Sequence, residues 1–277
     1  MSTQAPEQQD VEQRVRRFEP AVLRSFLSWV AGAQARLTLD DVGKAIQHGI
    51  STALERALRA APTWALDLFP VARSEGEHAA KELEDELRPL LPLSFDIHDP
   101  RFELAVEQAG ARAIHEVSLE TQRAVREIVS TAYRNGWHPY EFAPQIKQSV
   151  GLNDRLARAV TNFYRAQLEG GANARQALAR TNRYAERLRN YRARMIARTE
   201  TMRAANISRL EGYEQAARKG LFDTRTAVLE WMTHIDDRTC SYCLEMAGEQ
   251  VPFGQEFPDG EPPVHPHCRC VIMLRFN

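Results

Sequence analysis

The sequence predicts a mainly α-helical protein, with helical N-terminal and central regions and a small C-terminal α+β module that a Cys/His cluster staples together. Three observations support this fold class. Apolar residues recur at steps of three and four through most of the chain before Gly220, as they do in amphipathic helices. Beyond Gly220 this period is lost, and the segment TAVLEWMTH has the alternation that is typical of a strand. All four cysteines lie among the last 38 of the 277 residues.

Residues 1–95 are predicted to form an N-terminal helical region of unknown role. The helical pattern covers residues 11–36, 38–62 and 74–88, and Pro62 ends the second of these helices. Three prolines between residues 88 and 100 interrupt the pattern, so we expect a linker or a crossing loop there.

Residues 96–219 are predicted to form a central helical region. Its first helix covers residues 102–134, with a break expected near the sequence VSLET, and a turn and a short helix follow near Pro139. Asn153 can cap the next helix, which ends at Gly170. A long helix then covers residues 173–219, and Gly220 is suited to its C-terminal cap.

Residues 220–277 are predicted to form a compact α+β module. The segments TAVLEWMTH, GEQVPF and CVIMLRF each have the pattern or composition of a short strand. Long helices followed by a β-rich segment indicate an α-helical part that carries a small appendix.

The charge of the chain is unevenly distributed. The formal net charge is −1, but residues 155–219 carry 15 Lys and Arg against 5 Asp and Glu. Such a basic block indicates an anionic partner, either a nucleic acid or an acidic protein surface, or else a solvated helix face. The start of the chain lacks a basic stretch followed by an apolar run, so we expect no secretory signal and synthesis in the cytoplasm, where cysteines are usually reduced. The most apolar early stretch, AVLRSFLSWVAGA, is short and carries Arg24, so we expect no membrane association.

The cysteines and nearby histidines are spaced like the ligands of a metal site. Cys240 and Cys243 have the two-residue spacer of a zinc knuckle, and the segment HPHCRC lies about 20 residues further along. Tetrahedral zinc needs four ligands, and the candidates are Cys240, Cys243, His265, His267, Cys268 and Cys270. The alternatives are a disulfide pair or the packing of the cysteines as small apolar side chains. No catalytic residues are expected, because no nucleophile has an evident oriented base.

The same segments carry a resemblance to a known family. The stretches EWMTHIDDRTCSYCLEMAGEQV and PPVHPHCRC resemble the C-terminal module of phage head morphogenesis proteins of the Mu F-like family. The matching positions are Trp231, Asp236 or its neighbour Asp237, Cys240, Cys243, Gly248, His265, Pro266, Cys268, Arg269 and Cys270. The preceding stretch IARTETMRAANISRLEGY resembles the family's Ala-Arg-Thr-Glu helix. The resemblance covers about residues 100–277.

This resemblance implies a minor head protein that is present in the virion in few copies. It implies association with the portal vertex and with capsid or scaffold proteins during procapsid assembly, a part in DNA packaging or ejection, and no shared catalytic activity. Two other functions stay open, namely a nucleic-acid-binding zinc protein and a transferase whose site is hidden in the C-terminal module.

Two further groups of residues are candidates for functional roles. A polar network is expected to join the Ala-Arg-Thr-Glu helix to the module, with solvated side chains as the alternative for Arg198 and Glu200. Its members are Arg198, Thr199, Glu200, Asn206, Trp231, Asp236 and Arg269. The candidate partner-binding residues are Arg183, Arg187, Arg189, Arg192 and Arg194. We favour a protein partner over DNA, because one face of the same helix is apolar or aromatic at Tyr184, Leu188, Tyr191 and Met195. The alternative is that this face packs on the core of the chain itself.

Overall fold

The computed structural model describes residues 6–38, 63–87, 98–134 and 147–276, together with residues 40, 95, 96 and 144. Nearly all of the helix expected at residues 38–62, most of the linker expected at 88–100 and the short helix expected near Pro139 lie outside these residues. No helix in the described part of the chain combines the length and the apolarity that crossing a membrane requires.

The described residues form a mainly α-helical fold with one small sheet, which confirms the predicted fold class. The α-helices are α1 Pro6–Arg16, α2 Glu19–Arg36, α3 Phe69–Leu87, α4 Pro100–Arg134, α5 Asp154–Glu169, α6 Ala174–Arg218 and α7 Ser241–Glu245. A 3₁₀-helix, Thr63–Leu68, precedes α3. The strands are β1 Ala227–Met232, β2 Gln250–Pro252 and β3 Val271–Phe276.

Two helix predictions are wrong in detail. The single helix expected at residues 11–36 is two helices, because the chain turns before Pro20, whose missing N–H suits the first turn of α2. The break expected in α4 near VSLET is absent. There the hydroxyl of Thr121 donates to the carbonyl of Val117 at 2.9 Å, so this buried polar group is satisfied within the helix.

The sheet is antiparallel, and its strand order is β2-β1-β3. β1 is the central strand, and Leu229 pairs with both Val251 and Leu274. Alternate residues of β1 are buried, as expected for a sheet with one face on the core. The side chain of Trp231 is fully buried, and its ring meets that of Phe257 edge to face at 5.3 Å.

The chain divides into two compact units. One comprises Met1–Val22, Ala65–Ala111 and Met195–Asn277, and its core joins residues of α3 and α6 to the sheet and to three of the cysteines. The other comprises Leu23–Trp64 and Arg112–Arg194. The division of the chain into functional domains at residues 96 and 220 stays a prediction.

Candidate metal centre

The two halves of the cysteine cluster come from two separate segments of the module. Cys240 is the N-terminal cap of α7, and its sulfur accepts a hydrogen bond from the backbone N–H of Cys243 at 3.4 Å. This knuckle brings both sulfurs to one side of a tight turn. Cys268 and Cys270 precede β3, where residues two apart in an extended chain point the same way.

The structure brings five of the six candidate ligands together. The Nε2 atom of His265 lies 3.2 Å from the sulfur of Cys240 and 3.1 Å from that of Cys243. The sulfurs of Cys243 and Cys268 are 3.9 Å apart. Cys243, Cys268 and Cys270 form a second group whose sulfurs lie within 4.8 Å of one another. The cluster therefore has two triads that share Cys243.

His267 is placed differently from the other candidates. Its side chain is exposed, and it is not a member of either triad. Its backbone N–H donates to the hydroxyl of Thr199 at 3.2 Å, so the residue ties its loop to α6. His267 lines the same cavity as the cysteines, but its imidazole is grouped with their sulfurs in neither triad.

The chemistry of the cluster suits a small soft cation. The residues around it enclose a cavity of about 20 Å³, which is room for one ion or water and too little for an organic substrate. Hydrogen bonding to Cys243, with burial, raises the pKa of Cys270 to about 11, and hydrogen bonding to Cys270, with burial, raises that of Cys268 still further. These raised pKa values favour the protonated thiols, whereas a bound cation would stabilise the thiolates instead.

A disulfide is not formed among these residues. All four cysteines are free thiols, and the 3.9 Å between the sulfurs of Cys243 and Cys268 is well beyond the bond length of about 2.0 Å. The sulfurs and the imidazole lie in two overlapping triads, and such groups could hold a metal ion.

An ion pair also holds the CRC segment, residues 268–270, in place. The guanidinium of Arg269 donates to both carboxylate oxygens of Asp236, and the Nη1–Oδ2 distance is 2.7 Å. This contact holds the pKa of Asp236 well below its ordinary value. Of the two aspartates that could match the family pattern, Asp236 is thus the one that contacts Arg269.

Arg198 reaches a buried carboxylate of α1. Its Nη2 atom donates to Glu12, which also accepts from Arg16 at 2.6 Å and lies 3.2 Å from Nδ1 of His234. Burial opposes ionisation of Glu12, yet the hydrogen bond of Arg16 and the charges of Arg198 and His234 together hold its pKa below the ordinary value. Glu12 was missed from the sequence, because it lies 186 residues from Arg198 and no pattern around it indicates this contact.

Glu200 and Thr199 are also buried, so the solvated alternative for Glu200 is wrong. The carboxylate of Glu200 pairs with Arg203 at 3.1 Å. The hydroxyl of Thr199 donates to the carbonyl of Met195 at 2.8 Å while it accepts from the loop of the cluster.

Asn206 binds the module most directly. Its side-chain amide donates to the carbonyls of Pro262 at 3.0 Å and Cys270 at 3.1 Å, and it accepts from the N–H of Ile272 at 3.0 Å. Arg209, one turn further along α6, donates to the carbonyl of Ile272 at 3.4 Å. β3 lies at the edge of the sheet, and polar side chains of α6 thus form hydrogen bonds with backbone groups on its outer side. Arg209 was missed from the sequence, although it lies on the same face as Asn206.

The predicted partner-binding arginines differ in how far they are exposed. Arg183, Arg187 and Arg194 are exposed. Arg189 is half-buried and donates to the carbonyl of Gln148. Arg192 is fully buried and pairs with Glu120 at 2.5 Å, so it is not presented to a partner.

The apolar face of the same segment is also partly covered. Tyr184 stacks on Phe163 at a ring separation of 4.6 Å, and Leu188 and Met195 are half-buried. Tyr191, by contrast, is 52 % exposed. Much of the face that favoured a protein partner therefore packs within the chain.

The chain also matches a known protein family. The model of the phage Mu protein F like protein family matches residues 123–273, which is more than half of the chain. No curated protein and no solved structure matches the chain. The matched residues run from α4 to β3 and include all six candidate ligands, as well as Asn206, Asp236 and Arg269. The chain belongs to the phage Mu protein F-like family.

Proposed function

We propose that this protein is a minor head protein that takes part in phage head morphogenesis and is carried in the virion. The observation that supports this function is the family match, which extends over α5, α6 and the whole metal centre. In this role the protein associates with the portal vertex and with capsid or scaffold proteins during procapsid assembly, and it takes part in DNA packaging or ejection.

The exposed arginines of α6 are the proposed contact for a portal partner. Arg183, Arg187 and Arg194 follow one another at steps of four and seven, so they lie on one face of the helix. None of the three has an ion-pair partner among the residues that the structure describes. Their guanidinium groups stay charged at neutral pH and are suited to an acidic protein surface.

A capture experiment tests this contact. Portal protein is expected to bind the immobilised wild-type chain at physiological salt, and the triple variant R183E/R187E/R194E is expected to lose most of this binding. The charge-matched control R101E/R112E/R123E changes three exposed arginines of α4 and should bind as the wild type does. Equal binding by both variants would contradict the proposed contact.

A nucleic-acid-binding function is the second candidate, and the partial burial of the apolar face favours it. Only Tyr191 of that face is strongly exposed beside the arginines, and a cationic stripe with few apolar anchors also suits DNA phosphates. DNA binding through several phosphates falls steeply with added salt, whereas a protein contact persists better. Salt-sensitive DNA binding without portal capture would favour this second function.

We also propose that the cluster binds one zinc ion with a structural role. The support is the convergence of thiols and an imidazole, which are ligands that zinc prefers, around a cavity too small for a substrate. Zinc would supply the cross-link between α7 and β3 that the short strands cannot supply by burial alone. Elemental analysis of reduced protein purified without chelator should find about one zinc per chain. Four freely titrating thiols in folded, metal-free protein would contradict the proposal.

A further inference from the structure

An open cavity of about 510 Å³ lies beside the hairpin that α5 and α6 form. It is lined by Phe163 of α5 and by Arg180, Arg183, Glu186 and Arg187 of α6, and we call it the hairpin cavity. Pockets that bind ligands commonly measure about 300–1,000 Å³, so this cavity is large enough to hold one. Three arginines against one glutamate give these lining residues a positive net charge.

The arginines of the hairpin cavity are held in place without being neutralised. The Nη1 atom of Arg180 donates to the side-chain oxygen of Gln167 at 2.8 Å, and this partner carries no charge. The guanidinium of Arg187 lies over the ring of Tyr184, 5.6 Å from its centroid. Neither of these arginines nor Arg183 has an ion-pair partner within the described ranges of the chain. All three stay charged at neutral pH, and side chains that are already ordered lose less entropy on binding.

Phe163 adds apolar surface at the same place. Its ring stacks on that of Tyr184 at a centroid distance of 4.6 Å, which fixes its position, and the half-buried side chain lines the hairpin cavity. Protein interfaces are commonly anchored by an apolar or aromatic side chain in a pocket and surrounded by polar contacts. The cavity combines such an anchor with three cations, whereas the exposed arginines of α6 alone do not.

We propose that the hairpin cavity docks a short acidic segment of the portal protein, whose apolar side chain packs on Phe163 while its carboxylates pair with Arg180, Arg183 and Arg187. This inference rests on the proposed portal contact and specifies its place and chemistry. The fork of a guanidinium binds a carboxylate through two hydrogen bonds. Arg180 and Arg187 are about 10.5 Å apart along the helix axis, at about 1.5 Å per residue, so about four residues of extended chain reach all three arginines.

The lining of the hairpin cavity favours a peptide over a nucleic acid. Single-stranded nucleic acids bind basic grooves by stacking their bases on free aromatic faces. Here Phe163 and Tyr184 each use one face on the other, and the guanidinium of Arg187 lies over the ring of Tyr184. The carboxylate of Glu186 repels phosphates, whereas it can accept a hydrogen bond from the backbone N–H of a peptide.

Portal binding by full-length variants at physiological salt tests the docking site. Arg180→Glu and Phe163→Ala should each weaken the binding of portal protein by about 10-fold or more, because one places like charges together and the other removes the anchor. Arg175→Glu is the matched control, since it reverses an exposed arginine of α6 outside the cavity lining, and it should bind as the wild type does. Circular dichroism checks that each variant is folded, and Arg180→Glu decides if Phe163→Ala is not.

The outcomes separate this inference from the portal contact itself. Wild-type affinity in Arg180→Glu, together with loss of binding in R183E/R187E/R194E, would overturn the cavity as the docking site and leave the portal contact intact. A wild-type chain that does not bind portal protein would overturn both.

Competing probes then test the chemistry of the ligand. A synthetic peptide with four glutamates around one tryptophan should displace portal protein from the wild-type chain. The same peptide with alanine in place of tryptophan should need a roughly 10-fold higher concentration, because it lacks the side chain that packs on Phe163. Single-stranded oligothymidylate should not displace portal protein at physiological salt. Equal potency of the two peptides would overturn the role of Phe163, and displacement by the oligonucleotide but by neither peptide would overturn the proposal in favour of a nucleic-acid site.

Discussion

Replacing Asn206 with alanine should destabilise the module far more than the loss of one polar side chain normally does. The amide of Asn206 is 1 % exposed and makes three hydrogen bonds to backbone groups of the module. The substitution would leave the carbonyls of Pro262 and Cys270 and the N–H of Ile272 without this partner. Alanine replaces none of the three contacts.

The magnitude follows from those three groups. A buried polar group that loses its partner costs about 1–3 kcal/mol, so three groups set an upper range of about 3–9 kcal/mol. Water that enters the space left by the amide would recover part of this loss. We therefore expect Asn206→Ala to reduce the free energy of unfolding by about 3 kcal/mol, a large fraction of the stability of an ordinary domain.

Urea unfolding followed by tryptophan fluorescence measures this change, since Trp231, one of the four tryptophans of the chain, lies in the core of the module. Ser208→Ala is the matched control. Ser208 is also buried on α6, but its hydroxyl donates only within the helix, to the carbonyl of Ala204 at 2.7 Å. The control should cost less than about 1 kcal/mol. Hydrogen exchange adds a local readout, since the amide of Ile272 should lose protection in Asn206→Ala alone. Equal destabilisation by both variants, with Ile272 still protected, would refute the reasoning.

Three other perturbations have defined outcomes. Cys240→Ser should loosen the module while the helices stay folded, so that limited proteolysis cuts between residue 220 and the C-terminus; a cleavage pattern identical to that of the wild type would count against a staple. Asp236→Asn should cost about 2 kcal/mol in unfolding experiments at neutral pH, because the buried guanidinium of Arg269 loses its carboxylate. Arg269 lowers the pKa of Asp236 from its ordinary value of 3.8, so the stabilisation by this ion pair is present above about pH 4 and is lost as the pH falls further. The stabilities of the wild type and Asp236→Asn should therefore converge in acid. A constant difference down to about pH 2 would exclude this ion pair as the cause. Arg192→Ala should lower the melting temperature without changing portal capture, because Arg192 is buried against Glu120, and loss of capture by a folded variant would show that the residue contacts the partner after all.

The sequence predicts the parts of this protein that depend on local patterns. Apolar periodicity places α5 and α6, and the pattern or composition of the short segments after Gly220 places the three strands. The break expected in α4 is wrong because the hydroxyl of Thr121 is satisfied within the helix, which the composition of this segment does not show. Local spacing also identifies the knuckle of Cys240 and Cys243.

The choice among the remaining ligands is a tertiary property. His265 and His267 are equivalent in the sequence, yet the imidazole of His265 lies within 3.2 Å of two sulfurs, while the backbone N–H of His267 donates to Thr199. Glu12 and Arg198 are 186 residues apart in the sequence, and no pattern near either residue indicates their contact. The burial of Arg192 likewise depends on Glu120, which is 72 residues away.

The central claim is that this chain is a minor head protein, and mass-spectrometric copy counting tests it most directly. Purified procapsids and virions of a phage that encodes the protein would be digested, and its peptides would be compared with those of the portal and major capsid proteins. The account predicts a few copies in both particles, and a marked reduction in procapsids assembled without portal. Absence of the protein from both particles, or a copy number that matches the major capsid protein, would contradict the account.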